Sequence, residues 1–114
     1  MQSLSPAVWH ILVALADHER HGYAIMREIA QRTEGRTRLG PGTLYGTLKR
    51  LVEQGLVEQS GQRPDPALDD ERRRYYRLTS LGRTTLEAEA QRLQEMVRTA
   101  RAKRLLPDLL AEGA

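Results

Sequence analysis

The stretch GPGTLYGTLKRLVEQG, residues 40–55, contains the clearest helix boundaries in this chain of 114 residues. Pro41 suits the first position of a helix, where its missing N–H removes no hydrogen bond. Apolar residues then recur at helical spacing: Leu44, Leu48, Leu51 and Val52. Gly55 suits the position just beyond the helix, where the backbone turns left-handed. We therefore predict a third helix over about residues 41–54 with one buried face.

The opposite face of this third helix is small, polar and basic. Its predicted outward residues are Thr43, Gly46, Thr47, Lys49 and Arg50. Small residues allow close approach, and the cationic side chains can donate to DNA bases or phosphates. A solvated surface helix is the alternative, but it usually mixes both charges and avoids glycine, which costs about 1 kcal/mol against alanine. Because the predicted third helix has no acidic residue before Glu53, the pattern favours nucleic-acid binding.

Tyr45 lies one residue away from the core stripe of the third helix. Its hydroxyl could reach a DNA phosphate, or its ring could pack at the edge of the domain. The sequence leaves both roles open.

Two shorter helices are predicted before the third. Ser5 and Pro6 mark the start of the first, because serine caps free N–H groups and proline needs no partner there; we expect it to reach about Ala16. The second should follow Gly22 and stop near Gly35.

A β-hairpin and a long helix are predicted after the third helix. Residues Leu56 to Ser60 and Arg74 to Leu78 read as two strands joined by a polar loop rich in turn formers. Thr79 can cap the last helix, which we expect to run to about Leu105 before Pro107 closes it. The expected fold class is mainly α with a small β-hairpin.

Three short helices followed by a hairpin form the winged variant of the helix-turn-helix, in which the third helix enters the major groove and the hairpin lies along the phosphates. We expect a winged helix-turn-helix DNA-binding domain over residues 1–79, a long C-terminal dimerisation helix over 80–106 and a tail over 107–114. Residues 20–79 carry 12 basic and 8 acidic side chains, in a chain whose net charge is +3. The basic part of the chain is therefore the part expected to bind DNA.

The wing has basic strands and an acidic tip. The basic residues expected to touch phosphates are Arg63, Arg72, Arg73 and Arg74. The acidic residues at the tip are Asp65, Asp69, Asp70 and Glu71. Phosphate would repel these carboxylates, so the tip either stays away from DNA or has no fixed structure.

Three segments together closely resemble the PadR family of bacterial winged-helix transcriptional regulators. They are GTLYGTLKRLVEQGLV at residues 42–57, RRRYYRLTSLGR at 72–83 and HGYAI at 21–25. The presence of one helix after the wing, instead of a larger C-terminal domain, resembles the subfamily with a single C-terminal helix. The resemblance implies a homodimeric repressor of transcription. Gly46, where the family pattern suggests a bulkier residue, and the acidic wing tip depart from it.

The last helix carries the seam of a two-helix coiled coil. Its residues follow a 4-3-4-3 spacing: Leu86, Ala90, Leu93, Val97 and Ala100. The first helix is apolar on nearly every side, and we expect Trp9 and Leu12 to join this dimer interface. A two-fold dimer predicts a near-palindromic operator with half-sites about 34 Å apart.

A small-molecule effector could bind in a cleft at the dimer centre. The candidate lining residues are Trp9, Leu93 and Met96. Since Trp9 is the only aromatic ring among them, we expect weak or absent binding of planar compounds.

Catalysis, metal binding and membrane insertion are not expected. The chain has no cysteine, and its histidines are His10, His18 and His21. His18 and His21 with Asp17 or Glu19 could hold a metal, but they straddle a predicted helix end; we expect neither metal nor cofactor. The apolar stretch Ala7–Ala16 is too short to cross a membrane and lacks the basic start of a signal peptide, and a chain without cysteine fits an intracellular compartment, so we expect the cytoplasm.

One other function fits the same elements. A winged helix could bind protein instead of DNA and use the long helix as a docking seam. The basic outward face of the third helix favours DNA, so the sequence predicts a DNA-binding transcriptional regulator and not an enzyme.

Overall fold

The computed structural model of the protein describes residues 3–64 and 72–107. Helix α1, Pro6–Ala14, starts as expected: the Ser5 hydroxyl accepts a hydrogen bond from the Val8 N–H at 3.3 Å. It ends two residues before the predicted boundary. The guanidinium of Arg20 donates to the Ala14 carbonyl at 2.7 Å, which satisfies one of the free acceptors of the last turn.

Helix α2, Gly22–Arg32, has a histidine as its N-cap. Nδ1 of His21 accepts a hydrogen bond from the Ala24 N–H at 3.0 Å. At the other end Gly35 has a φ of +79° and its N–H donates to the Ala30 carbonyl at 2.7 Å. The predicted stop near Gly35 is therefore confirmed. The imidazole ring of His21 acts as the N-cap of α2.

Helix α3, Pro41–Glu53, has the predicted boundaries. Gly55 adopts a φ of +77°, and the N–H groups of Gly55 and Leu56 donate to the carbonyls of Val52 and Leu51, both at 3.0 Å. This pair of bonds is a Schellman motif, and it closes the helix immediately before the wing.

The sheet has three antiparallel strands, one more than the sequence indicated. They are β1, Arg20–His21; β2, Val57–Pro64; and β3, Arg72–Leu78, in the order β1-β3-β2. In β1, Arg20 pairs with Tyr76 and His21 with Tyr75. The wing strands extend further than predicted, and a register shift between Gln59 and Gly61 lets β2 bend. The acidic residues at 65–71 lie outside the described residues.

Helix α4, Ser80–Ala102, begins at the cap that the sequence indicated. The Thr79 hydroxyl accepts from the Gly82 N–H at 3.0 Å and donates to the Gly55 carbonyl at 2.6 Å. The helix ends three residues before the predicted Leu105, where Arg104 turns left-handed with a φ of +60°. None of the described helices is long and apolar enough to cross a membrane.

The core lies where α1 packs against α2, α3 and α4. Its fully buried side chains include Ile11, Leu12, Ile25, Ile29, Leu44, Leu48, Leu51 and Val57. Two residues assigned to a dimer interface belong here instead: Leu12 is 0% exposed and Leu86 is 8% exposed in the single chain. For these two residues the prediction was wrong, because α1 is covered by three helices of its own chain and α4 packs on it. The division of the chain at residue 79 stays a prediction.

A buried carboxylate joins α4 to the segment before α1. Glu89 is 5% exposed; its Oε2 accepts from the Leu4 N–H at 3.0 Å, and the Arg92 guanidinium donates to both carboxylate oxygens at 2.6 and 2.9 Å. These hydrogen bonds, with Arg92 the largest contributor, hold the pKa of Glu89 below its ordinary value of 4.5, although burial acts in the opposite direction.

The first prediction concerns this carboxylate. Because its pKa is lower in the folded chain than in the unfolded chain, its contribution to stability is present above about pH 4.5 and is lost as the pH falls through the folded value. Glu89→Gln should be less stable at neutral pH and should lose less stability on acidification, as measured by denaturant unfolding at several pH values. Glu95→Gln, in an exposed pair with Arg98, is the control and should behave like the wild type. Identical pH profiles for Glu89→Gln and the wild type would contradict the assigned role.

The second prediction compares two helical glycines. A Cβ on Gly82 would overlap the carbonyl oxygen of Leu56 and lie 2.9 Å from its carbonyl carbon, whereas a Cβ on Gly46 meets no described atom within 4 Å. Gly82→Ala should therefore destabilise the fold by at least about 1–3 kcal/mol. Gly46→Ala should stabilise it by about 0.5–1 kcal/mol. Urea unfolding of the two variants measures both changes, and equal effects would refute the packing described at Gly82.

Candidate nucleic-acid interface

The exposed face of α3 contains most of the residues predicted for it. Thr43, Gly46, Lys49 and Arg50 are exposed, whereas Thr47 is only 2% exposed. The prediction that Thr47 points outward was wrong, because it lies three residues after Leu44 and four before Leu51, at the edge of the core stripe. Its hydroxyl accepts from Nη2 of Arg50 at 3.3 Å. Thr47 thus helps to orient a basic side chain of the exposed face.

Gly46 has open space above it. Apart from its own helix, no described atom lies within 4 Å of where a Cβ would be. Nothing in the described part of the chain therefore requires glycine here. The open space leaves the α3 backbone accessible to a molecule from outside.

Tyr45 lies at the junction of α2 and α3. Its side chain is 44% exposed and its ring lies over Gly22, where a Cβ on that glycine would lie 2.7 Å from Cε1 and Cζ of the ring. Gly22 therefore allows the ring to lie directly against the start of α2. Packing at the domain edge is what the structure shows, and a phosphate contact by the remaining exposed part stays a prediction.

A groove of about 460 Å³ separates α3 from the wing. Its lining residues are Tyr45, Lys49, Val52, Glu53, Gln59, Arg74 and Tyr76. Lys49 from α3 and Arg74 from β3 bring positive charge to the same groove. Tyr76 forms its buried wall, and burial raises the pKa of its phenol. Glu53 lies one helical turn after Lys49 on α3, whereas the sequence did not indicate Gln59 as a neighbour of the basic residues, because its proximity depends on how the wing folds back.

The remaining basic residues of the wing follow the hairpin towards its tip. Arg63 pairs with Arg73 and Pro64 with Arg72 in the β2–β3 register. Arg73 is half-buried and Arg74 is exposed. Tyr75 is half-buried with its ring edge against His21 at a centroid distance of 5.4 Å. The unforeseen strand β1 explains this contact, since it places His21 opposite Tyr75.

Each of the three histidines has a contact within its own chain. His10 Nδ1 lies 3.1 Å from Nη1 of Arg32, and Nδ1 of the exposed His18 lies 2.8 Å from the Glu19 carbonyl oxygen. His21 caps α2 as described above. Among residues 3–64 and 72–107 no group of three or more side chains is arranged to hold a metal ion.

The residues predicted for the dimer and the effector cleft differ in exposure. On α4, Leu93 and Ala100 are half-buried, whereas Ala90, Met96 and Val97 are exposed. Trp9 is partly buried and packs against the core from α1. Beyond the contact of Leu86 with the core, α4 therefore presents apolar side chains on its surface.

The chain resembles known regulators in both sequence and structure. Residues 11–88 match the Transcriptional regulator PadR-like family. The chain is 40% identical over 89 residues to Transcriptional regulator Rv3488 of Mycobacterium tuberculosis, an alignment that covers 78% of this chain and 77% of that protein.

Solved structures share the fold. A PadR family transcription regulator from Clostridium difficile superposes with a TM-score of 0.67 at 26% identity, covering 86% of this chain and 97% of the other. Bacillus subtilis PadR, whose structure was determined in complex with operator DNA, has a TM-score of 0.63 at 20% identity, covering 73% of this chain and 45% of that one. The winged helix-turn-helix order of the elements, the matched family sequence over most of the chain and these structural neighbours agree, and the protein belongs to the PadR-like family of transcriptional regulators.

Proposed function

We propose that the protein is a homodimeric transcriptional repressor that binds a near-palindromic operator in the cytoplasm through α3 and the wing. The observation that carries this proposal is the continuous basic surface from α3 to β3. Lys49 and Arg50 are exposed on α3, and Lys49 shares a groove with Arg74 of the wing. Arginine and lysine side chains on one surface are the usual partners of DNA phosphates.

The shape of α3 supports its insertion into the major groove. An α-helix fits that groove when its exposed face carries small side chains and donors. Thr43 and Gly46 supply the small residues, and Gly46 leaves the backbone open. The Bacillus subtilis relative was solved with operator DNA, and we extend operator binding to this chain on the shared fold.

The exposed half of α4 supports the homodimer. Val97 and Met96 are exposed, as are Leu105 and Leu106 beyond the helix, while Leu93 is half-buried. A second copy of the same helix would cover this surface and place two α3 helices on one side of the duplex, with half-sites about 34 Å apart. Because α1 is already covered by its own chain, we assign it the smaller part of the interface, through Trp9.

A protein-binding winged helix is the competing function. It would use the same exposed apolar residues of α4 as a docking seam. The basic groove between α3 and β3 would then have no role, which is why we prefer DNA. If an effector binds between Trp9, Leu93 and Met96, each protomer supplies one aromatic ring, so we expect planar compounds to bind weakly.

The third prediction tests α3. Lys49→Ala with Arg50→Ala should weaken binding to a mixed-sequence DNA duplex and flatten the dependence of log affinity on log salt by about 3–4, since a dimer loses four phosphate contacts at about 0.9 each. The change should leave the fold intact, because both side chains are exposed. Lys103→Ala with Arg104→Ala removes the same charge at the far end of α4 and is the control. A wild-type affinity and salt slope in the folded α3 variant would mean that α3 does not bind DNA.

The fourth prediction tests the dimer. Val97→Asp should produce monomers in sedimentation, because it places a charge in the proposed seam without disturbing the core of the single chain. Leu93→Asp should do the same, with some loss of stability because Leu93 is half-buried. Gln91→Asp, exposed on the opposite side of α4, is the control and should remain dimeric. A dimer that persists in both seam variants would refute the assignment.

A further inference from the structure

An exposed tyrosine beside two guanidinium groups lies at the junction of α2 and the wing. The side chain of Tyr23 is 46% exposed. The guanidinium carbon of Arg27, one turn further along α2, lies 5.6 Å from the centre of its ring. That of Arg73, on β3, lies 5.2 Å from the same point. We call Tyr23, Arg27 and Arg73 the α2–wing cluster.

The ring of Tyr23 contacts the guanidinium groups of both Arg27 and Arg73. The guanidinium groups repel one another, and each is attracted to the electron-rich ring at distances below about 6 Å. Tyr23 therefore connects α2 to β3 of the wing through its contacts with both guanidinium groups.

Arg27 retains its capacity to bind an anion. Within residues 3–64 and 72–107 it makes no hydrogen bond and no ion pair, and Tyr23 is its aromatic contact. A guanidinium has five N–H donors in a planar arrangement that matches phosphate oxygens.

The α2–wing cluster continues the surface already assigned to DNA. Gly22, immediately before Tyr23, lies under the ring of Tyr45 from α3. Arg73 precedes Arg74 in β3, and since side chains alternate along a strand it lies on the opposite face from Arg74, so the link between the cluster and α3 is the contact of Tyr45 with Gly22. Tyr45 of α3 therefore contacts the start of α2, and the α2–wing cluster begins at the next residue of α2.

We infer that the α2–wing cluster is a second DNA-backbone site, which binds a phosphate of a strand flanking the groove that α3 enters. The inference rests on the proposed function, because it concerns the same nucleic acid. Arg27 is the principal ligand, Arg73 adds charge from the wing, and Tyr23 holds the two guanidinium groups together. The site would hold the wing and α2 on one phosphate backbone and so fix the angle at which α3 meets the bases.

The test uses the full chain and a mixed-sequence DNA duplex of about 30 base pairs, to which phosphate contacts are formed whatever the sequence. Arg27→Ala should lower the affinity and reduce the salt slope by about 2, since a dimer loses two phosphate contacts. Arg27→Lys keeps the charge and should retain most of the slope. Lys103→Ala, about 35 Å along α4 from its start, is the matched control and should have the wild-type slope.

Tyrosine variants test the role of the ring. Tyr23→Phe keeps the aromatic face and should lose little affinity. Tyr23→Ala should lose part of what Arg27→Ala loses, and the double variant should bind about as weakly as Arg27→Ala alone, because both changes disturb one site. Additive losses in the double variant would show that Tyr23 does not position Arg27.

Two outcomes distinguish this inference from the function on which it rests. If Arg27→Ala keeps the wild-type slope while Lys49→Ala with Arg50→Ala flattens it, the second site is wrong and DNA binding by α3 stands. If all these folded variants keep the wild-type slope, the proposed function itself is wrong. Thermal unfolding of each variant shows whether it is folded, and Arg27 is exposed enough for its replacement to leave the core unchanged.

Discussion

The close contact between Gly82 and the backbone of Leu56 is the constraint on which the arrangement of the molecule depends. It leaves no room for a side chain at residue 82, so α4 starts directly against the turn that ends α3. Thr79 secures the contact: its N–H donates to the Leu56 carbonyl at 3.1 Å, and its hydroxyl bonds Gly55 and Gly82. The proposed DNA-binding helix and the proposed dimerisation helix are therefore joined through one closely packed, hydrogen-bonded turn. In a dimer, the distance between the two α3 helices would follow from the direction in which α4 leaves it.

The distribution of charge separates the two ends of the fold. Around α3 and β3, basic side chains line a shared groove, and Glu53 is the acidic residue that lies among them. On α4, acids and bases pair within the helix, as in Glu89 with Arg92 and Glu95 with Arg98. Paired charges on α4 leave little net potential to attract DNA, whereas the groove beside α3 keeps its cations available. This difference supports DNA binding at α3 and protein contact along α4.

The family and the site residues support different parts of the function. Membership of the PadR-like family identifies the protein as a transcriptional regulator. Which side chains contact DNA has to be argued from this chain's own geometry, since the DNA-bound neighbour shares the fold at 20% identity. The histidines illustrate the point: His21 could have been a metal ligand by composition, and its geometry makes it the cap of α2.

The sequence by itself determined the helices, the hairpin and the basic face of α3, because caps such as Ser5 and Thr79, the stop at Gly55 and the 3.6-residue period act over a few neighbouring residues. The tertiary structure decided what depends on residues far apart in the chain. Strand β1 has two residues, too few for any period, and forms only because β3 offers it partners. The sequence pattern assigned Leu12 and Leu86 to a dimer interface, whereas the packing of α1 against α4 buries both side chains within the single chain. Thr47 lies at the edge of the apolar stripe of α3, where the helical period alone does not determine whether a side chain is buried. The α2–wing cluster brings together residues 50 positions apart in the sequence, whose contact exists only after the wing has folded against α2.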